Sequence, residues 1–347
     1  MRGKRVSVLC DLNTKKYADG MIKLLSSASC SALEVYFPLS DLVPNEEILK
    51  SSLEAARNCD YVLAVGSGSL NDTAKAVSYE LGIGCGVLAT AASMDGYCSV
   101  GAAVMQDGFK VTLSTHTPSD ILIDLDIVKS APREMTAAGF GDILGKFTCL
   151  ADWRLSAAIN GETVDEEAFS MMEKARSDCF EAYEGLVRGE SDATAKLMDA
   201  LITAGLSMAK CGKSRPASGS EHHISHYLEM DFVRRSLPVP LHGVKVAIGT
   251  LVSIEIYKAL ASSDEEFAGK AELQRLAEEL PSQEELKEIL ASLGCPTRFK
   301  EIGVSRELFE ETVLNAHTVR DRFTVLTLAS ELGFTKKILS TLTEKYW

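Results

Sequence analysis

The segment YVLAVGSGSLNDTAK, residues 61–75, decides the fold class of this chain. Its first five residues are apolar and form a run of the length of a buried strand. The glycines and serines that follow mark a tight turn, and the pattern after them predicts a helix to about residue 80. A strand that leads through a glycine-rich turn into a helix is the unit from which parallel α/β sheets are built.

The same unit recurs on both sides of this segment. We predict strands at residues 5–10, 33–37, 61–65, 83–90 and 121–127, separated in the first part by helices at residues 16–27 and 45–58. This alternation predicts a parallel sheet with helices on both faces. Residues 106–109, with Asp107 and Gly108 at the centre, predict a hairpin, because an Asp-Gly pair accepts the positive φ angles of a tight turn.

From about residue 138 the pattern becomes helical. Apolar residues recur at helical spacing in residues 142–160, 166–187, 193–208, 222–230, 244–260, 283–293, 307–315 and 319–328. We therefore expect an α/β, Rossmann-like dinucleotide-binding domain at residues 1–137, followed by an all-α domain at residues 138–347. A chain of 347 residues is long enough for two such domains.

Composition excludes several classes of function. The formal net charge is −13, and no run of lysine or arginine is present, which argues against binding to nucleic acid or to an anionic membrane. No segment approaches eighteen apolar residues, and the N-terminal apolar run is too short for a signal peptide. The nine cysteines are dispersed, as in reduced proteins, so we expect a cytoplasmic protein without membrane insertion.

The turn after the third strand is a candidate nucleotide site. Its glycines allow close backbone approach, and a helix N-terminus offers unpaired N–H groups to a phosphate. The spacing is not that of the six-residue dinucleotide fingerprint, so an ordinary strand-to-helix turn remains open. Asp11 ends the first strand, where a carboxylate accepts hydrogen bonds from a cofactor ribose. A helix-capping role for Asp11 remains equally open.

A group of histidines indicates a metal site. Four of the six histidines lie within residues 222–242, and Asp142 lies upstream in an apolar, glycine-rich stretch. Two imidazoles and one carboxylate suffice for a catalytic divalent metal. Ser218 and Glu221 predict a capping box at the start of a helix, which places His222 and His226 on one face. His223 is rotated away from them, and we assign it, like the isolated His116 and His317, to the core or surface.

Asp142 and Lys146 are four residues apart at the predicted start of a helix, so both face the same way. A surface ion pair at a helix N-terminus is one interpretation. The apolar, glycine-rich residues before Asp142 favour a buried junction instead.

These residues stand in segments that resemble a known family. The segments are GSGSLNDTAK at 66–75, TAASMDGYCS at 90–99, DLDIV at 124–128, AGFGDILGKFTCLADW at 138–153, SRPASGSEHHISH at 214–226 and LHG at 241–243. The chain resembles the sn-glycerol-1-phosphate dehydrogenase family of the iron-type alcohol dehydrogenase and glycerol dehydrogenase superfamily. The resemblance implies the dehydroquinate synthase-like fold of that superfamily. Residues beyond about 255 carry no matching motif.

The resemblance also implies roles for individual residues. It implies that Asp142, His222 and His242 bind the metal, and that Asp95, His226 and Asp142 act at the substrate. It places the following residues around the nicotinamide cofactor: Asp11, Gly66, Ser67, Gly68, Ser69, Leu70, Asn71, Thr90, Ala91, Ala92, Ser93 and Ser99. Lys146 and Arg215 are our candidates for the substrate phosphate, because both lie within matched segments.

We expect reversible reduction of dihydroxyacetone phosphate, a small phosphorylated triose, to sn-glycerol 1-phosphate. The expected cofactor is NAD(H), with NADP(H) possible, and the expected metal is one divalent ion. Zn²⁺ is favoured, while Ni²⁺ and Fe²⁺ suit the same ligands. We also expect a homodimer or higher homo-oligomer. The alternatives are a glycerol-type polyol dehydrogenase, a dehydroquinate-synthase-like lyase or cyclase, and a non-catalytic relative.

Overall fold

The computed structural model describes residues 3–107 and 109–347, and at residues 109 and 110 it describes the backbone alone. The chain divides into two compact units, Met1–Ala131 and Pro132–Trp347. The predicted boundary at residue 137 lies inside the first helix of the second unit, Arg133–Leu144. This helix begins directly after Pro132, a residue that fits a helix start because it needs no N–H partner.

The N-terminal unit is built on a parallel sheet, as predicted. Its strands are β1 (Arg5–Asp11), β2 (Ser31–Phe37), β3 (Tyr61–Gly66), β4 (Gly84–Ala89), β5 (Gly101–Gln106), β6 (Phe109–Ser114) and β7 (Asp120–Ile123). Its helices are α1 (Lys15–Ser27), α2 (Glu46–Ala56), α3 (Gly68–Leu81) and α4 (Leu125–Lys129). Five strands pair in parallel in the order β2-β1-β3-β4-β7, and β5 and β6 form a separate hairpin.

The strand order explains where a ligand fits in this unit. The chain passes from β2 at the edge back across β1 to β3, so the order of connection reverses between β1 and β3. Open α/β sheets bind ligands outside the carboxyl ends of the strands at this switch point. Asp11 ends β1 and Gly66 ends β3, so both predicted cofactor positions lie at this edge.

Two local features of this unit can be compared with the predictions. The hairpin is confirmed, since Gln106 pairs with Phe109 and Asp107 has a φ of 51°, while Gly108 lies outside the described residues. The predicted strand at 121–127 is too long. Asp124 accepts hydrogen bonds from the N–H groups of Asp126 and Ile127 and thereby starts α4.

The second unit is described throughout, and none of its residues forms a strand, as predicted. Its helices are α5 (Arg133–Leu144), α6 (Lys146–Asn160), α7 (Glu166–Glu181), α8 (Tyr183–Arg188), α9 (Ser191–Cys211), α10 (Ser220–Arg234), α11 (His242–Ala261), α12 (Lys270–Glu279), α13 (Gln283–Ser292), α14 (Arg306–Asn315), α15 (Val325–Glu331) and α16 (Phe334–Tyr346). Helix α11 is apolar and buried along nearly all its length, and the helices that pack on it are α5, α6, α10, α12, α13, α15 and α16. In the part of the chain that the structure describes, no helix has the length and apolarity needed to cross a bilayer.

Three predicted helices differ from the structure, and one of them, at residues 166–187, is divided at Ala182 into α7 and α8. Residues 142–160 are not one helix, because α5 and α6 meet at Gly145, so Asp142 lies at the end of α5 and Lys146 begins α6. Residues 319–324 form a loop, and α15 begins only at Val325. The N–H of Val325 donates to the buried carboxylate of Asp152, 2.8 Å away. This contact, distant in sequence, fixes where α15 begins.

Candidate functional site

The second unit brings together the three predicted metal ligands from three helices. Asp142 comes from α5, His222 from the first turn of α10 and His242 from the first turn of α11. One ligand atom from each residue lies within 4.8 Å of the other two. The Nε2 atom of His222 lies 3.6 Å from Oδ1 of Asp142, and the His222 and His242 ring centroids are 5.2 Å apart.

Two glycines explain why these helices come so close. A Cβ atom at Gly243 would lie 1.7 Å from the carbonyl oxygen of Ala138, and one at Gly141 would lie 2.5 Å from the carbonyl oxygen of Gly243. Both contacts are with backbone atoms, which cannot rotate away. Helices α5 and α11 therefore cross with their backbones touching, and this crossing sets Asp142 beside His242.

A buried carboxylate lies behind His222. The Nδ1 atom of His222 is 2.7 Å from Oε1 of Glu221, and Glu221 also accepts hydrogen bonds from Gly219 N–H and Thr148 Oγ1. Burial raises the pKa of Glu221 to about 7. Histidine ligands of metals commonly donate their second nitrogen to such a carboxylate, which fixes the ring and its tautomer. Glu221 thus leaves Nε2 of His222 facing Asp142.

The predicted capping box of Ser218 and Glu221 is wrong. The residue before α10 is Gly219, Ser218 Oγ accepts no hydrogen bond among the described residues, and the N–H of Ser220 donates to the Asp152 carboxylate at 2.7 Å. A Cβ at Gly219 would lie 2.6 Å from the Cα of Cys149, so helix packing fixes the entry to α10. The consequence drawn from the box holds, because His222 lies in the first turn of α10.

Electrostatics keep His222 in the form that binds a metal. Burial, followed by the charge of Lys146, holds the pKa of its imidazole well below the usual range, so the ring is neutral. Asp142 is fully buried, and its Oδ1 accepts a hydrogen bond of 2.9 Å from Lys146 Nζ. The cluster therefore contains the Asp142 carboxylate, paired with the Lys146 ammonium group, beside the neutral imidazole of His222.

His226 lies on the same side of α10 as His222, and His223 does not, as the helix geometry predicts. The His226 ring lies 5.9 Å from that of His222 and 5.8 Å from that of His242, so it borders the cluster without belonging to the ligand set. His223 is fully buried, and neither ring nitrogen has a hydrogen-bond partner among the described residues. Burial, with the charges of Arg322 and Arg320, lowers the pKa of His223 to about 3.

The structure gives the two predicted phosphate ligands other contacts. Lys146 is fully buried, with Nζ at 2.9 Å from Asp142 and 2.8 Å from the carbonyl oxygen of Ala217. Arg215 is 1% exposed and donates to the carbonyl oxygens of Asp152 and Phe323. It also pairs with Glu162 at 3.0 Å. These contacts favour roles in holding the fold over a contact with substrate phosphate.

In the N-terminal unit, the two predicted cofactor segments are joined to each other. Oγ of Ser67 lies 2.5 Å from Oγ of Ser93, and Tyr97 donates to the Ala91 carbonyl oxygen at 2.7 Å. The Asn71 side chain donates to the carbonyl oxygen of Gly96 at 3.2 Å. The start of α3 and the segment after β4 therefore form one surface at the carboxyl edge of the sheet.

Asp11 and Asp95 belong to this same unit. Oδ1 of Asp11 accepts hydrogen bonds from the N–H groups of Asn13 and Thr14 and from the Thr14 hydroxyl. That is the capping role left open by the sequence, and it occupies one of the two carboxylate oxygens. Asp95 is 8% exposed, just before a short 3-10 helix at Gly96–Cys98.

Sequence reasoning missed two groups that shape the site. Glu221 stands directly before His222. A carboxylate next to a candidate ligand in the sequence is a signal that could have indicated its contact with the histidine ring. Asp152 is fully buried and lies in a matched segment. Its carboxylate accepts hydrogen bonds from Ser220 N–H, Tyr257 Oη and Val325 N–H, and these partners are scattered along the sequence.

Comparison with known proteins identifies the family of this chain. The iron-containing alcohol dehydrogenase family matches residues 1–132. Glycerol-1-phosphate dehydrogenase (NAD(P)+) of Bacillus velezensis is 35% identical over 334 residues, covering 93% of this chain and 84% of the relative. The enzyme of the same name from Bacillus licheniformis is 34% identical over 342 residues, covering 97% of this chain and 85% of the relative.

A solved structure shows the same fold. A probable glycerol dehydrogenase from Sinorhizobium meliloti superposes with a TM-score of 0.70 at 20% identity, covering 99% of this chain and 92% of that one. The parallel sheet, the helical second unit and the identity to the Bacillus proteins lead to one assignment. The chain belongs to the glycerol-1-phosphate dehydrogenase family of oxidoreductases, with the iron-type alcohol dehydrogenase fold.

Proposed function

We propose that this chain catalyses the reversible, NAD(P)-linked reduction of dihydroxyacetone phosphate to sn-glycerol 1-phosphate. The observation that carries the proposal is the convergence of Asp142, His222 and His242 in a member of this family. The relatives are named for this reaction, and the segments that carry the cluster are those by which the sequence resembles the family.

The donor set fits a divalent metal. Two imidazole nitrogens and one carboxylate oxygen at bonds of about 2.1 Å would be separated by about 3.4 Å in a tetrahedral site. The observed 3.6 Å between His222 and Asp142 is close to that spacing without a large movement. Three protein ligands leave a position for substrate, as in catalytic rather than structural sites. Zn²⁺ is favoured, Ni²⁺ and Fe²⁺ accept the same donors, and elemental analysis of unchelated protein decides among them.

Different residues of the chain are proposed to have different roles in the reaction. A bound divalent ion would supply a Lewis acid at the substrate C2 oxygen. Asp142, His222 and His242 hold that ion, and Glu221 fixes the His222 ring. His226 borders the cluster, where it orients a substrate hydroxyl and moves a proton, and Asp95 is proposed to orient a second hydroxyl. The N–H groups at the start of α3 would receive the cofactor pyrophosphate.

The test of this function is an absorbance assay that follows NADH, which is consumed when a ketone is reduced and formed when glycerol is oxidised. Dihydroxyacetone phosphate, dihydroxyacetone and glycerol with NAD+ are compared on the same preparation of metal-loaded protein. We expect a high kcat/KM for dihydroxyacetone phosphate alone. Preference for glycerol would indicate a polyol dehydrogenase, and no net change of NADH with any of these substrates would favour the lyase alternative.

Glu221→Gln tests the support behind His222. Glutamine keeps the size of the side chain but removes the carboxylate that accepts the His222 Nδ1 proton. We expect the metal dissociation constant to rise about 10- to 100-fold, as for other second-sphere carboxylates. Competition with a chromophoric chelator measures it, with Glu278→Gln, at an exposed position on α12, as the control. Unchanged affinity in Glu221→Gln would remove the proposed role.

Asp11→Ser tests cofactor choice. The second carboxylate oxygen of Asp11 would accept from the ribose hydroxyls of NAD and repel the extra phosphate of NADP. Removing a like-charge clash of about 1–3 kcal/mol would shift the kcat/KM ratio about 5- to 150-fold toward NADPH. Both cofactors are measured on wild type, on this variant and on Asp19→Ser, an exposed control on α1. A constant ratio would show that Asp11 only caps the turn before α1.

A further inference from the structure

The loop at residues 319–324, between a short 3-10 helix at Ala316–Thr318 and α15, carries two arginines. Both arginine side chains are partly buried. Burial lowers the pKa of Arg320, and burial with the charges of Arg215 and Arg320 lowers the pKa of Arg322 to about 10. The two positive charges thus lie close enough to repel each other.

Neither arginine has a carboxylate within salt-bridge distance among the described residues. Arg322 donates to the carbonyl oxygen of Ser218 and, at 2.8 Å, to Oγ of Ser214. Arg320 makes one long hydrogen bond, 3.4 Å, to the same Ser214 hydroxyl. Buried charges are normally paired, because desolvation is costly without a counter-charge. In a protein of net charge −13, two neighbouring arginines without an acid point to an external anion.

The loop is held against the entry to α10, where His222 begins the metal cluster. Arg322 bonds to residues 214 and 218, and Arg215 bonds back to the carbonyl oxygen of Phe323. The short helix at Ala316–Thr318 packs on α10. The arginines therefore lie against residues 214–218, which lead into α10, the helix that carries His222.

We propose that Arg320 binds the phosphate of the substrate, and that Arg322 holds the loop and adds positive charge. Arg322 already donates two hydrogen bonds to the segment at residues 214–218, whereas most N–H donors of Arg320 remain available. A guanidinium group offers paired N–H donors that match two phosphate oxygens. The inference rests on the proposed function, and it replaces Lys146 and Arg215, which are engaged elsewhere.

This assignment separates phosphorylated from unphosphorylated substrates. The anion would relieve the repulsion between the two partly buried arginines, so much of the binding free energy would come from the phosphate. Dihydroxyacetone would leave both charges uncompensated. The loop would therefore set specificity without touching the carbon that is reduced.

The test compares metal-loaded wild type, Arg320→Gln, Arg320→Lys and the exposed control Arg306→Gln. Calorimetry with inorganic phosphate measures the site without catalysis, and steady-state assays use dihydroxyacetone phosphate and dihydroxyacetone. We expect the Kd for phosphate and the KM for dihydroxyacetone phosphate to rise about 10- to 150-fold in Arg320→Gln, the range for a charged hydrogen bond. Arg320→Lys should recover part of this loss, while metal content, kcat and the control remain unchanged.

Three outcomes would overturn the assignment. They are equal phosphate binding by wild type and Arg320→Gln, no phosphate binding by wild type, and an equal loss of kcat/KM for both ketones. If wild type binds phosphate through Arg320 but does not turn over dihydroxyacetone phosphate, the anion site stands and the proposed function fails. The variant removes a partly buried charge that has no carboxylate within salt-bridge distance among the described residues, so its thermal unfolding temperature should not fall.

Discussion

We expect His242→Ala to lose its bound metal and to reduce kcat/KM with dihydroxyacetone phosphate by at least about 1,000-fold, because the ion supplies several kcal/mol of transition-state stabilisation. His242 is one of three protein groups in the cluster, and its loss leaves two. Metal content per chain by elemental analysis and the NADH assay measure both effects on the same sample.

His242 is a cleaner target than Asp142. Removing the Asp142 carboxylate would leave the fully buried Lys146 ammonium without its acid, and such a loss destabilises proteins by about 3–5 kcal/mol. Loss of metal in that variant could then not be distinguished from misfolding. His242 is partly exposed and lies at the start of α11, so its truncation should leave the fold intact. Retained metal and full activity in His242→Ala would remove the proposed site.

His223→Ala provides the control for register. His223 neighbours His222 in sequence but points away from the cluster, so its loss should leave metal content unchanged even where stability falls. If His223→Ala loses metal and His222→Ala does not, the ligand is His223, and the proposed assignment is displaced by one residue.

Asp152→Ala should lower the free energy of unfolding by about 3–5 kcal/mol, the cost of breaking a buried charge network. Its carboxylate accepts hydrogen bonds from the first residue of α10, from Val325 at the start of α15 and from the Tyr257 hydroxyl. Alanine would leave these three buried donors without an acceptor, and each costs about 1–3 kcal/mol. Urea unfolding followed by circular dichroism measures the change.

Tyr257→Phe is the matched control for this network. It removes one of the three donors and leaves the carboxylate with its backbone partners, so we expect a loss of only about 1 kcal/mol. Asp152 joins the start of α10 to the end of the loop at residues 319–324. Asp152→Ala should therefore also weaken metal binding in protein that remains folded. Equal stability of Asp152→Ala and wild type would show that Asp152 does not hold these elements together.

The parallel sheet was predictable because its signals are local. Each buried strand is a short apolar run, and the turn after β3 contains the residues that a strand-to-helix connection needs. The ends of elements were less predictable. The strand at 121–127 was predicted too long because Asp124 caps a helix, and the break at Gly145 divides a segment whose apolar spacing runs on without interruption.

The candidate site divides in the same manner. Residue types and their order along the chain indicated Asp142, His222 and His242, because few side chains bind a divalent metal and their segments resemble one family. The sequence also separated His222 from His223 through the angle between neighbouring helix positions. It assigned Lys146 and Arg215 to phosphate only because they lie in those segments, and the structure engages both in contacts of the fold.

By itself, the sequence determined the class of each unit, the family and the ligand types, since all of these follow from local patterns and short motifs. Only the tertiary structure decided that Glu221 contacts His222, that Asp152 ties α10 to α15, and that no carboxylate of the described residues lies within salt-bridge distance of Arg320 or Arg322. The physical reason is that pairing, burial and the repulsion between like charges depend on distances through space. The loop at 319–324 and the start of α10 are about a hundred residues apart in sequence, and only packing brings them together.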